Sequence, residues 1–294
     1  MCGEYQQKGW WYYYLFALLV KTPLGTMGLI ILTIFCRMRG RFPRPGIRDE
    51  LVLLSPAIFV FVVVSSKTGF SHHLRYLFPC IPLAFVWIGQ VAQVLSMKKT
   101  EQKAENKSPL SLIQSIGLSE LIMGCGLWSL SSSLWHYPHS LAYFNELAGG
   151  PRNGAEQLLN SNIDWGQDLL HLESWIRRQS GDGPVFLAFD NYYNPFALGM
   201  PRIAPWPLRR PGKDALEIEQ KNAVPTIPDG YYAISTNQLY EFPWPLRDRD
   251  GTLYHLDVRP MKALRAMAPV GWASYSIRVY TASQLMSAYR NSGR

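Results

Sequence analysis

Cysteine is scarce in this chain. Four residues in 294, with no CxxC pair and no Cys/His spacing suited to a metal ion, exclude a disulfide scaffold and a zinc module. Cys36, Cys80 and Cys125 lie in or beside apolar runs, where a thiol acts as a small hydrophobe. Charge is sparse as well: 17% of residues are charged against 48% hydrophobic, which excludes a disordered or collagen-like chain. The charge present is mostly basic, +8 with a pI near 9.3. The early Arg and Lys residues sit between apolar segments, a pattern that orients a membrane protein, so no nucleic-acid partner is expected.

A mean hydropathy of -0.05 averages two unlike halves. The first carries long apolar runs at about 12–35, 47–66, 74–97 and 110–135, each near the roughly 20 residues that a spanning helix needs. The spacing predicts four membrane spans over residues 1–135. The run at 47–66 is the shortest, and its Val and Phe content leaves a buried strand as the competing reading. Arg37, Arg39, Arg41, Arg44 and Arg48 follow the first run, and Lys98, Lys99, Lys103 and Lys107 follow the third. Both basic loops then face the cytoplasm, and the C-terminal part lies outside the cell (inner) membrane. Trp10 to Tyr14 and Trp135 form interfacial belts.

From residue 136 to 294 the apolar runs shorten and turn signals such as Gly149-Gly150-Pro151 and Pro228-Asp229-Gly230 recur. This reads as an exocytoplasmic mixed α/β domain. Val185–Phe189, Tyr231–Ser235 and Ser276–Tyr280 read as strands. Leu169, Leu172, Trp175 and Ile176 have helical spacing, with Asp164 as expected N-cap and Gln167 three residues on. Pro201–Pro228 and Pro243–Arg249 read as long loops.

Several stretches carry a resemblance: Gly3-Glu4-Tyr5, Gly9-Trp10-Trp11-Tyr12-Tyr13, Lys21-Thr22-Pro23-Leu24, Arg75-Tyr76-Leu77-Phe78-Pro79, Tyr143-Phe144-Asn145-Glu146-Leu147-Ala148-Gly149-Gly150-Pro151 and Asp164-Trp165-Gly166-Gln167-Asp168-Leu169. Together they resemble the C-terminal portion of bacterial C-type membrane glycosyltransferases, similar to the dolichyl-phosphate-mannose protein mannosyltransferase and aminoarabinose transferase superfamily. The resemblance implies transfer of a sugar from a polyprenyl phosphate to an acceptor on the outer membrane face. It also implies further spans and an acidic motif in the first outer loop, for which this chain has no counterpart. The catalytic base is therefore unassigned, and an upstream polypeptide supplying the N-terminal half is an expected partner beside membrane lipids and the lipid-linked sugar donor. The alternative is a non-catalytic glycan- or partner-binding module, or an inactive truncated product. No cofactor is implied; a divalent cation stays open.

Such chemistry needs a cation for the departing lipid phosphate and a carboxylate for the acceptor proton. Arg75, with His72 and His73 beside it, suits the phosphate, or simply snorkels to headgroups. Lys21 inside the first run either faces a cavity opened by Pro23 or snorkels; Glu120 in the fourth run is a functional-site candidate by the same argument, or pairs with a basic group or lies near the cytoplasmic third. Asn162, Asp164 and Asp168 either bind a sugar or cation or cap a helix, and capping explains them without a ligand. Asn145 and Glu146, which follow His136 and His139, either face the acceptor or satisfy a junction. Tyr192, Tyr193, Trp206, Tyr240 and Trp244 serve as stacking platforms or as core.

Overall fold

The computed structural model describes residues 1–2, 9–41, 46–66, 73–101, 109–179, 181, 183–189, 194–209 and 225–292, with backbone alone at 97–101 and 109–116. His72, Arg44, Lys103, Lys107, Tyr192, Tyr193 and Glu4 lie outside these residues. The chain divides into two compact units: a helical unit, Glu4–Gly150, and a sheet unit made of Met1–Gly3 with Pro151–Arg294.

In the helical unit, α1 (Tyr13–Lys21), α2 (Leu24–Met38), α3 (Ile47–Ser66), α4 (Cys80–Ile88), α5 (Ala92–Glu101) and α6 (Pro109–Trp135) follow in order. Helix α2 packs along α6, and α3 along α4. Leu32 and Cys36 of α2 meet Val91, Val94 and Ile122 in a small core. Closeness along α2 and α6 comes from glycine: a Cβ at Gly25 would lie 2.1 Å from the Cys125 carbonyl oxygen.

The four-span reading does not hold. Among the described residues no single helix is long and apolar enough to cross a membrane, and only the bent pair α1 and α2 passes together. That pair is broken by 111°, because Pro23 has no N–H and drives Thr22 into the extended region (φ -84°, ψ 132°). The run at 74–97 is interrupted as well, by 3-10 turns at Leu74–Leu77 and Gly89–Val91 on either side of α4. Helix α3 spends its first turn on Arg48, Asp49 and Glu50. Helix α6 dilutes its apolar residues with serine and glycine. Arg37, read as an orienting charge, pairs with Glu50 and donates to the Gln90 side chain at 3.2 Å.

The sheet unit contains α7 (Gly154–Gln157), α8 (Leu169–Arg178), β1 (Val185–Ala188), β2 (Ile203–Pro205), β3 (Tyr231–Ser235), α9 (Thr236–Leu239), β4 (Leu246–Arg247), β5 (Leu253–Tyr254), α10 (Met261–Ala266), β6 (Gly271–Ala273), β7 (Ile277–Thr281) and α11 (Ala282–Ser292). Five strands form one mixed sheet in the order β2-β1-β3-β7-β6, and β4 pairs with β5 apart from it. Strand β1 runs parallel to β2 and β3; β7 runs antiparallel to β3 and β6.

Alternation along the strands builds two cores. Val185, Leu187, Ala233, Ile277 and Val279 join Leu169, Leu172, Trp175 and Ile176 of α8 on one face. Phe186, Ala188, Tyr232, Ile234 and Tyr280 meet α10, α11 and the fully buried Trp206 on the other. Helix α8 starts at Leu169 with Asp168, not Asp164, in the cap position.

Candidate functional site

The break after α1 leaves the last carbonyls of that helix without helical donors. Asn145 fills the gap. It is fully buried, and its side-chain amide donates to the Leu19 oxygen at 2.6 Å and the Thr22 oxygen at 3.0 Å. Its backbone N–H donates to the Val20 oxygen at 2.9 Å. The remaining side-chain oxygen accepts the Ala148 N–H at 3.0 Å, capping the 3-10 turn Glu146–Ala148. Gly149 closes that turn at φ 82°, a left-handed conformation that favours glycine.

Lys21 secures the same joint. Its ammonium donates to the Leu141 oxygen at 2.7 Å and lies 4.3 Å from the centre of the Phe144 ring. The Lys21-Thr22-Pro23 and Asn145-to-Gly150 stretches are therefore two halves of one structural joint, so Asn145 satisfies a junction. Arg75 lies nearby in this unit, exposed on the turn Leu74–Leu77 that packs on α1. Its guanidinium is 5.5 Å from the Tyr76 ring centre, and His73 meets the same ring edge-on at 5.5 Å.

A polar cluster stands at the end of α6, in which the sequence singled out His136 and Glu146 but not Ser132. The Ser132 and Tyr143 hydroxyls are 3.1 Å apart, and Ser132 donates to the exposed Glu146 carboxylate at 3.4 Å. His136 meets the Tyr143 ring edge-on at 4.9 Å, and its Nδ1 lies 2.8 Å from the Ser132 carbonyl oxygen. Burial raises the Tyr143 pKa; the Ser132 bond opposes the rise and the Glu146 charge adds to it. The serine run at 131–133, one α-helical turn before His136, was the available signal. Glu120 is exposed on α6 and lies apart from this group.

In the sheet unit the acidic candidates are used by the backbone. Asp164 accepts the Gly166 N–H at 2.9 Å, Asn162 donates to the Leu159 oxygen at 2.9 Å, and Asp168 accepts the Tyr275 and Ser276 N–H groups at 3.2 and 2.9 Å. Asp164 precedes the helix, so it does not share a helix face with Asp168. Among the described residues, neither unit by itself gathers three His, Cys, Asp or Glu side chains close enough to share a metal ion. Trp206 is core, Trp244 packs edge-on against Phe242, and Tyr240 lines a cleft. No family model, no curated protein and no solved structure matches the chain.

Proposed function

We propose that this chain is the C-terminal portion of a glycosyltransferase that takes its sugar from a polyprenyl phosphate at the outer face of the cell membrane. One observation carries the reading. Stretches dispersed from Lys21 to Gly150, which carry the family resemblance, meet in the helical unit: Asn145 and Phe144 close on the end of α1, and the Arg75 turn packs against that helix. Arg75, exposed on the short turn Leu74–Leu77, is the group assigned to the donor phosphate, for which a guanidinium offers two parallel donors. Glu146 and Tyr143 line the acceptor side. The base that takes the acceptor proton comes from an upstream polypeptide.

Membrane association is supported by the apolar side chains that the helical unit leaves uncovered. Ile31, Ile34, Val52, Ile58, Phe59, Val62, Phe85 and Leu127 are all exposed, and exposed apolar side chains suit contact with a membrane surface.

The test is release of radiolabelled sugar from polyprenyl phosphate by the purified chain in detergent, with and without the polypeptide encoded upstream. The expected result is no turnover alone and transfer after reconstitution. Arg75→Ala should lower that transfer about 100-fold, and Arg75→Lys should restore part of it, because the charge survives without the fork. Unchanged transfer by Arg75→Ala would remove the phosphate role, and no transfer after reconstitution would overturn the transferase reading.

A further inference from the structure

The sheet unit holds an open cleft of about 830 Å³, bordered by the segment at 152–157, Tyr240, α10 and the strands β6 and β7. Strand alternation explains its chemistry. Ile277 and Val279 face α8, so Arg278 and Tyr280 point to the opposite face, where α10 and α11 pack. A guanidinium thus stands where the pattern asks for an apolar side chain. Arg278 is only 9% exposed; its side chain bonds to the Tyr240 and Tyr280 phenols, while its Nε has no hydrogen-bond partner. Arginine stays ionised, so this placement costs the fold stability that a bound anion would return.

Three more cations line the same cleft. Arg152 lies 5.7 Å and Arg278 4.7 Å from the centre of the Trp272 ring, and Arg265 lies 5.0 Å from that of Tyr240. Lys262 completes the set. Arg265 is bridged to Glu241 at 2.8 Å. Among the described residues, Arg152, Lys262 and Arg278 have no ion-pair partner. Among the described residues, Glu156 is the one carboxylate in the lining, beside Asn153 and Gln157.

We infer that this cleft binds a phosphate monoester carried on a sugar-sized ligand. Guanidinium forks match phosphate oxygens, and several uncompensated cations favour the doubly charged monoester over a single carboxylate. Asn153, Glu156 and Gln157 supply the amide and carboxylate groups that hydroxyls need, and the volume suits a small saccharide. Every lining residue belongs to the sheet unit. The inference therefore stands independently of the transferase reading.

Titration calorimetry on the full chain in detergent tests it, with glucose 6-phosphate, glucose and inorganic phosphate as probes. Glucose 6-phosphate should bind saturably and more weakly as salt rises, and glucose should not bind. Arg152→Gln, Lys262→Gln and Arg278→Lys should each weaken it about tenfold or more. Arg177→Gln, whose side chain pairs with Glu173 on the exposed side of α8, should leave it unchanged. Competition by glycerol 3-phosphate and by water-soluble dihexanoyl phosphatidate distinguishes the source: stronger displacement by the phosphatidate would mark a lipid-borne phosphate, and equal or weaker displacement a soluble one. Equal binding of glucose and glucose 6-phosphate, no saturable binding of any probe, or full affinity in well-folded Arg152→Gln and Lys262→Gln would each overturn the proposal.

Discussion

The side-chain amide of Asn145 donates to the carbonyl oxygen of Thr22 at 3.0 Å, joining the residue before a helix-breaking proline to a loop 123 positions later. The same amide holds the Leu19 oxygen, so both amide protons serve carbonyls that the break released. Asn145→Asp keeps the size and the acceptor for Ala148 while removing both donors. It should destabilise the helical unit by about 2–4 kcal/mol, since two buried acceptors lose their partners and a carboxylate faces them. Thermal unfolding of the purified chain in detergent measures this. A midpoint equal to that of the unchanged protein would show that water serves those carbonyls instead.

Glycine placement makes a prediction of opposite signs in one helix pair. A Cβ at Gly25 meets the backbone of α6 at Cys125 and Ser129, whereas one at Gly124 meets nothing within 4 Å. Gly25→Ala should therefore push α2 from α6 and cost about 1–3 kcal/mol, despite a helix-propensity gain of about 1 kcal/mol. Gly124→Ala should keep that gain. Denaturant midpoints that move together would remove the close-packing argument.

Three strands of the sheet were legible in the sequence, whereas β2 and β4 lie inside Pro201–Pro228 and Pro243–Arg249, which read as loops. Val185–Ala188, Tyr231–Ser235 and Ile277–Thr281 lie where runs of β-branched and aromatic residues predicted them, because strand alternation is local. The helical half was misread because hydropathy sums over a window and is blind to direction. The run at 12–35 is predominantly apolar, yet it bends by 111° at Pro23. At the joint, Lys21 and Asn145 were each visible as unusual residues, but their partners are backbone carbonyls more than 100 positions away. Arg278 was invisible for another reason. A single arginine in a strand looks like an ordinary solvent-facing residue until the second core is known to cover that face.

Asp168 ties α8 to the turn between β6 and β7 by accepting the Tyr275 and Ser276 N–H groups. Asp168→Ala leaves two backbone donors without their acceptor and should cost about 2–4 kcal/mol; Asp168→Asn, which retains an acceptor oxygen, should cost about 1 kcal/mol. Hydrogen exchange should rise first at Tyr275 and Ser276. Equal stability of the alanine and asparagine variants would show that the charge or the packing, not the acceptor, matters at this site.

Buried phenols give the sheet unit an alkaline limit. Burial pushes the Tyr254 phenol up to about 12, against the Trp206 N–H and the Arg209 charge, which pull it down. Burial also raises Tyr240, Tyr280, Tyr232 and Tyr289, with Arg278 opposing it at the first two. An unfolded phenol ionises near pH 10, so between about pH 10 and 12 the unfolded chain gives up protons that the folded one keeps. The stability from keeping these phenols neutral is complete below pH 10 and is lost as pH rises towards 12. Phenolate absorbance should therefore show a late class of tyrosines whose ionisation coincides with loss of the far-ultraviolet dichroism. Tyr254→Phe should remove one of them and make the decline shallower, while losing about 1 kcal/mol at neutral pH with the Trp206 bond. Ionisation of every tyrosine near pH 10 with the dichroism intact would mean that water reaches these hydroxyls and that the two cores are looser than their packing implies.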